Sequence, residues 1–413
     1  MRVAIGVLMA GGLAGAVLAA QGGWAASPEA VAEASADQPG FNYEESRVPP
    51  YTLPDVLGQG PSRVTSREQW PARRAAILEL FREHVYGRRP GRPDSLDFEV
   101  IETNGKALDG AATLQRVVVV SRHRGREHRF ETILFVPNGR SGRVPVFLLL
   151  NNRPPSNTDP TRATKSPFWP VEEMIGRGYA IAALQVGDLA PDNAKTFTEG
   201  VIRLFEGDAQ QRPANAWMAL AAWGWGASRV LDYLETHPRI DASRVAVVGH
   251  SRGGKAALWA GAEDERFALV ISNDSGEGGA ALARRDFGET IERINSVFPH
   301  WFADNYARFN GRPHDLPVDQ HMLLALVAPR ALYVASASDD LWADPRGEFL
   351  SLAHTSPVFA LWGDRVIAPD DMPPVDTPLI VGRRGYHIRT GGHDLTTYDW
   401  MQFANFADQL GWN

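Results

Sequence analysis

Arg244-Val245-Ala246-Val247-Val248-Gly249-His250-Ser251-Arg252-Gly253-Gly254-Lys255-Ala256-Ala257-Leu258-Trp259-Ala260-Gly261-Ala262 is the stretch on which the fold turns. Its first half is Val-rich and reads as a short buried strand over residues 244–248. Its second half is Ala-rich and reads as a helix over 251–262. Between them lies G-x-S-x-G, with Ser251 at its centre. A serine at a sharp strand-to-helix turn has an exposed hydroxyl, and small flanking residues relieve the crowding of a strained backbone. The amide that follows it, that of Arg252, is placed to donate to an oxyanion. G-x-S-x-G alone occurs by chance in glycine-rich chains; the strand before it and the helix after it give it weight.

Working outward, strand and helix patterns alternate. Strands are expected at 114–120 and 130–136, as an antiparallel pair, and at 144–150, 179–184, 267–272 and 331–335. Helices are expected at 71–86, opened by a capping box at Ser66-Arg67-Glu68-Gln69, at 214–235 behind Pro213, and at 403–410. This alternation predicts a mostly parallel sheet covered by helices on both faces, the α/β-hydrolase fold, with its elbow at Ser251. Two long connections, 151–169 and 276–329, follow expected strands, where parallel sheets build their sites.

A serine nucleophile needs a base, and in this fold the chain order is Ser, acid, His. Among the downstream histidines, His393 in Gly391-Gly392-His393-Asp394 is preferred, because the glycines permit a tight loop before the last helix. His387, in a strand-like run, is the rival. Two aspartates follow expected strands: Asp274 in Asn273-Asp274-Ser275-Gly276-Glu277-Gly278-Gly279, and Asp340 in Ser338-Asp339-Asp340-Leu341-Trp342. Either would orient the imidazole and stabilise the imidazolium. Turn and cap roles are the plainer alternatives for both.

With these residues in view, the sequence resembles the glucuronoyl esterases, a carbohydrate esterase family. The resemblance covers most of the chain. It is carried by Gly249–Lys255, Asn273–Gly279, Asp340-Leu341-Trp342-Ala343-Asp344-Pro345 and Gly391-Gly392-His393. It implies cleavage of esters at the carboxyl carbon of glucuronic acid, the bond that joins xylan side groups to lignin alcohols. It assigns Arg252 to oxyanion binding, Lys255 and Glu289 to the sugar, and Trp342 to packing beside it. Lys255 lies four residues after Ser251, on the same helix face. Many members carry glutamate where this chain has Asp274; the shorter side chain favours Asp340 as the acid and leaves Asp274 as the alternative. Taken alone, Lys255 and Glu289 would read as solvated helix residues, Arg252 as an ion-pair partner and Trp342 as core. The competing functions are an acetylxylan esterase with the same triad, a serine peptidase, which usually carries a large extra domain, and a non-enzymatic binding protein.

Composition limits the rest. With 413 residues, 44% hydrophobic and 22% charged, the chain suits a globular protein. Residues 1–26 read as a signal peptide: Arg2, an apolar run over 4–20, and small residues at Ala19-Ala20 and Ala25-Ala26. A secreted or periplasmic protein is therefore expected, with an N-terminal extension at 27–61 and a single catalytic domain at 62–413. Cysteine is absent, which excludes disulfides, a thiol nucleophile and thiolate metal sites. The net charge of −7 disfavours nucleic acid, and the basic clusters at 88–92 and 122–129 read as solvated surface. No metal site, no cofactor, no membrane contact of the mature chain and a monomeric state are the remaining expectations; the partner is a glucuronoxylan or lignin-carbohydrate ester.

Overall fold

The computed structural model describes residues 24–209 and 211–413. The signal-peptide expectation falls almost wholly outside them. Ten strands form one sheet: β1 Ser95–Ala107, β2 Ala112–His123, β3 Arg126–Pro137, β4 Val144–Asn151, β5 Ala180–Gln185, β6 Ile240–His250, β7 Leu269–Asn273, β8 Ala331–Ala337, β9 Leu379–Val381 and β10 Arg384–Arg389. Their order is β1-β2-β3-β5-β4-β6-β7-β8-β10-β9. The run from β5 to β10 is parallel, and antiparallel strands flank it at both ends. Twelve α-helices accompany it among the described residues: α1 Pro28–Asp37, α2 Trp70–His84, α3 Val171–Gly176, α4 Val186–Leu189, α5 Val201–Glu206, α6 Ala219–Thr236, α7 Arg252–Glu263, α8 Ile291–Val297, α9 Gln320–Ala325, α10 Pro345–His354, α11 Ser356–Phe359 and α12 Thr397–Gln409.

The central strands are apolar on both faces because both are covered. On β4, Val146, Leu148 and Leu150 face one core with residues of α6 and α7, while Phe147 and Leu149 face a second core with residues of α3 and α12. Each such side chain, fully buried, stabilises the fold by about 1.5–3 kcal/mol. This is the α/β-hydrolase fold. The chain leaves β4 for β5 on one side and returns to β6 on the other, so a crevice opens beyond the carboxyl ends of β4 and β6. Asn151 and Ser251 sit at those two ends.

Several expectations need correction. Strand β1 was not anticipated: it lies at the sheet edge and is exposed along most of its length, so no buried alternation marks it. Helix α6 starts at Ala219, not 214. The preceding residues are tied instead to neighbouring loops, through Arg88 N to Asn215 O at 2.8 Å and Asn305 N to Ala214 O at 2.9 Å. Helix α12 starts at Thr397, six residues earlier than expected, behind a capping box formed by Thr396 and Asp399. The expected box at Ser66 does not form; Gln69 Oε1 instead accepts from Thr65 N at 2.8 Å. Arg89 is not solvated surface either. Its side chain is 15% exposed and pairs with the buried Glu263 at 3.3 Å.

The segment after residue 27 wraps the body of the protein. Tyr43 and Ala30 pack with Phe287 and Leu341, and Phe41 meets the Trp342 ring edge-on at 5.0 Å. No helix among the described residues is long and apolar enough to cross a membrane.

Candidate active site

Ser251 stands between β6 and α7 with φ 57° and ψ −128°. A non-glycine residue pays roughly 1–3 kcal/mol for such a conformation. Its amide donates to Asn273 O at 2.9 Å, while its carbonyl accepts from Gly254 and Lys255 at 2.9 and 3.1 Å. Gly249 is required: a Cβ there would lie 2.0 Å from Gly253 O. The amides of Arg252 and Gly253 open α7 ahead of its first i→i−4 bond, at the positive end of the helix dipole.

His393 lies in the loop between β10 and α12, its side chain 40% exposed. Its Nδ1 donates to Asp340 Oδ2 at 2.6 Å. Asp340 follows β8 and has a side chain only 5% exposed. The His393 ring also packs on that of His250, the residue before Ser251, with centroids 4.4 Å apart. His250 Nδ1 donates to Asn273 Oδ1 at 2.7 Å. Burial, and then the charge of His393, hold its pKa well below the ordinary histidine value, so it is a neutral neighbour. His387, the rival base, is fully buried on β10. Its Nε2 donates to Asp399 Oδ1 at 2.8 Å and its Nδ1 accepts from Tyr333 Oη at 3.0 Å, which leaves neither nitrogen for chemistry.

Asp274 is brought to the same place but in a different state. It is 1% exposed at the end of β7, with φ 45°. Burial, and then the charge of Asp340, push its pKa well above the usual carboxylate range. Asp274 is thus held towards the neutral acid, while Asp340 is the carboxylate that hydrogen-bonds the imidazole. Asp274, Asp340 and His393 have ligand atoms within 4.8 Å of one another, the spacing that a metal ion would need.

The Arg252 guanidinium reaches from the start of α7 to Asp192 and Asn152. Its Nε is 2.7 Å from Asp192 Oδ2, and Nη2 donates to Asn152 O at 3.4 Å. Asp192 is itself fixed by His300 Nε2 at 2.9 Å and Trp301 Nε1 at 2.7 Å. Burial raises the Asp192 pKa, but these hydrogen bonds and the Arg252 charge outweigh it and hold the group below the usual range. Trp301 lies under both cations, with Arg252 and Lys255 at 5.8 and 5.9 Å from its ring centre.

Lys255 is 4% exposed. Its ammonium donates to Ser275 O and sits 3.9 Å from Glu289 Oε2. Burial lowers its pKa and raises that of Glu289, and each charge partly offsets the shift of the other. Glu289 N donates to Trp342 O at 3.1 Å, which binds the two segments to each other. Behind them Glu277, fully buried, accepts from Tyr306 Oη at 2.6 Å, and burial pushes its pKa to about 8. The arrangement is a hydroxyl at a strained turn, an imidazole on a carboxylate, and a buried Lys255–Glu289 pair beside the half-buried Trp342.

The family profile described as glucuronyl esterase, fungi, matches residues 119–363. The chain is 38% identical over 419 residues to carbohydrate esterase MZ0003 from an unknown prokaryotic organism, covering 93% of this chain and 94% of that one. The chain belongs to the glucuronoyl esterase family. A solved glucuronoyl esterase from Solibacter usitatus is 41% identical, with a TM-score of 0.82 over 88% of this chain and 99% of that one. The 4-O-methyl-glucuronoyl methylesterase 1 of Phanerochaete chrysosporium is 30% identical over 321 residues, 75% of this chain and 61% of its own length. As a member of the glucuronoyl esterases, the protein is a carboxylic ester hydrolase.

Within this glucuronoyl esterase fold, the residues singled out in the sequence come together: Ser251, Arg252 and Lys255 on one elbow and helix, Asp274, Glu289, Asp340, Trp342 and His393 on four surrounding segments. Asp192, His300, Trp301 and Glu277 were missed. Asp192 follows α4 and meets residues more than a hundred positions away, so no local pattern marks it. The Trp301 indole was lost among twelve tryptophans.

Proposed function

We propose that the protein hydrolyses esters of the glucuronic acid carboxyl group through an acyl-enzyme on Ser251. The observation that carries the reading is the 2.6 Å His393–Asp340 hydrogen bond, with the His393 ring packed at a tilt against that of His250, the residue that precedes Ser251. Ser251 Oγ attacks the carboxyl carbon while His393 takes its proton. The tetrahedral oxyanion is held by the Arg252 amide and guanidinium. Its collapse expels the alcohol, which takes the proton from His393. Water, deprotonated by His393, then attacks the acyl-enzyme, and Ser251 Oγ leaves, taking that proton back from His393, with glucuronate released. Lys255 and Glu289 supply a buried donor and a buried acceptor for sugar hydroxyls, and Trp342 a flat apolar wall. The esters are those of lignin-carbohydrate linkages in glucuronoxylan. Such a polymer stays outside the cell, which fits residues 1–26 as a cleaved signal peptide, followed by an extension at 27–61, one catalytic domain at 62–413 and action as a secreted or periplasmic monomer.

Comparing benzyl glucuronate with acetylated xylan tests the assignment. The expected result is a kcat/KM at least about a hundredfold higher on the glucuronate ester, since buried polar groups left unpaired by the wrong acyl portion penalise it. Release of acetate at the greater kcat/KM, with little action on benzyl glucuronate, would make the protein an acetylxylan esterase.

A further inference from the structure

Arg389 ends β10, four positions before His393, and is 5% exposed. The loop after it contains Gly391 and Gly392, which give the chain no side-chain anchoring of its own. The first part of the loop is tied down from outside: Thr390 N and Oγ1 donate to Asp376 at 3.0 and 2.7 Å, and Gly391 N donates to Ser338 Oγ at 3.2 Å. The second part is held by Arg389. Its Nη2 donates to Gly392 O at 2.8 Å and to Asp394 O at 2.6 Å, the carbonyls on either side of His393. Nη1 donates to Thr390 O at 3.2 Å.

The same guanidinium is anchored in turn. Nε donates to Asp399 Oδ2 at 3.0 Å, and Nη2 lies 3.5 Å from Asp274 Oδ2. Asp399 Oδ2 also accepts from Thr396 N at 2.7 Å in the capping box of α12, and its Oδ1 accepts from His387 Nε2 at 2.8 Å. The planar fork therefore reaches the catalytic loop, the last helix and the buried Asp274 from one strand end. A lysine offers a point charge and no such fork.

We propose that Arg389 is a positioning residue for the ester hydrolysis: it clamps the backbone on both sides of His393 and so fixes the imidazole between Asp340 and Ser251. This rests on the reading of Ser251 and His393 as nucleophile and base. Displacing a catalytic group by about 1 Å costs on the order of a hundredfold in rate, and the loss falls on the chemical step, since Arg389 lies outside the Lys255–Glu289–Trp342 wall.

Arg389→Ala strips a cation from two buried carboxylates and is expected to weaken the fold, so Arg389→Lys is the informative variant, with Arg389→Gln as a second. Each is assayed on benzyl glucuronate below its measured unfolding midpoint, beside Ser251→Ala. The expected result for Arg389→Lys is a folded protein with kcat lower by roughly tenfold to a hundredfold and KM within about twofold. A folded Arg389→Lys or Arg389→Gln with wild-type kcat overturns the proposal, as does a loss confined to KM. If Ser251→Ala is itself active, the underlying reading fails; if Ser251→Ala is dead and Arg389→Lys is unimpaired, only the role of Arg389 fails.

Discussion

Replacing Asp340 by asparagine keeps the shape of the side chain and removes its charge. The carboxylate oxygen is 2.6 Å from His393 Nδ1, and the side chain is 5% exposed. At that separation, with the effective dielectric of about 20 that suits protein sites, a full imidazolium–carboxylate interaction is worth about 6 kcal/mol. That interaction exists only when His393 has taken the Ser251 proton, so its loss falls on the transition state. Asparagine also offers an amide N–H that favours the wrong imidazole tautomer. The expected fall in kcat is about ten-thousand-fold, or about 5.5 kcal/mol. Asp274→Asn should behave differently. Burial and Asp340 already disfavour its charge, so the substitution removes little charge, and kcat should stay within about tenfold. Steady-state hydrolysis of benzyl glucuronate by the two single variants and the double variant separates the roles. A dead Asp274→Asn beside a nearly normal Asp340→Asn refutes the reasoning. Two mild single losses with a severe double loss would mean that the carboxylates share the duty.

Arg252→Ala should lower kcat more than it raises KM, and Arg252→Lys should not restore it, because a compact ammonium cannot hold Asp192 and an oxyanion together; kcat and KM measured separately decide this. Gly249→Ala places a Cβ 2.0 Å from Gly253 O, so the elbow must shift; a stability loss of about 1–3 kcal/mol is expected, with activity falling alongside, read by thermal melts and turnover. Glu277 has a folded-state pKa raised by burial from 4.5 to about 8. The folded chain then binds a proton that the unfolded chain has released, and stability from this group is full below about 4.5 and lost as pH rises towards 8, at up to about 1.4 kcal/mol per pH unit. Glu277→Gln cannot ionise, so chemical denaturation at pH 5 and pH 8 should show a smaller difference than in wild type.

Legibility in the sequence followed the range of the interactions. The elbow was readable because strand, turn and helix are contiguous and each glycine answers a local demand. The different settings of His393 and His387 were readable from Gly391-Gly392, which place one histidine on a loop and leave the other in a strand. The choice between Asp340 and Asp274 was harder, since both follow strands that converge on one place, and burial and mutual repulsion separate them only in three dimensions. Asp192 and Arg389 left no local trace; their partners lie on distant segments or in backbone carbonyls. Strand β1 failed for a different reason: exposed on nearly every residue, it lacks the hydrophobic period by which strands are recognised. Helix α6 was anticipated too early because Pro213 is a turn residue whose carbonyl accepts from Ala216 N at 2.8 Å, well before the helix begins.

The central claim is that Ser251 carries the acyl group. Mass spectrometry of the enzyme quenched during turnover of a slow aryl glucuronate ester tests it most directly. The account predicts a glucuronoyl adduct on the peptide containing Ser251 in wild type, none in Ser251→Ala, and a kcat for that variant lower by at least about a thousandfold. An adduct on another residue, or turnover by Ser251→Ala close to wild type, would contradict it.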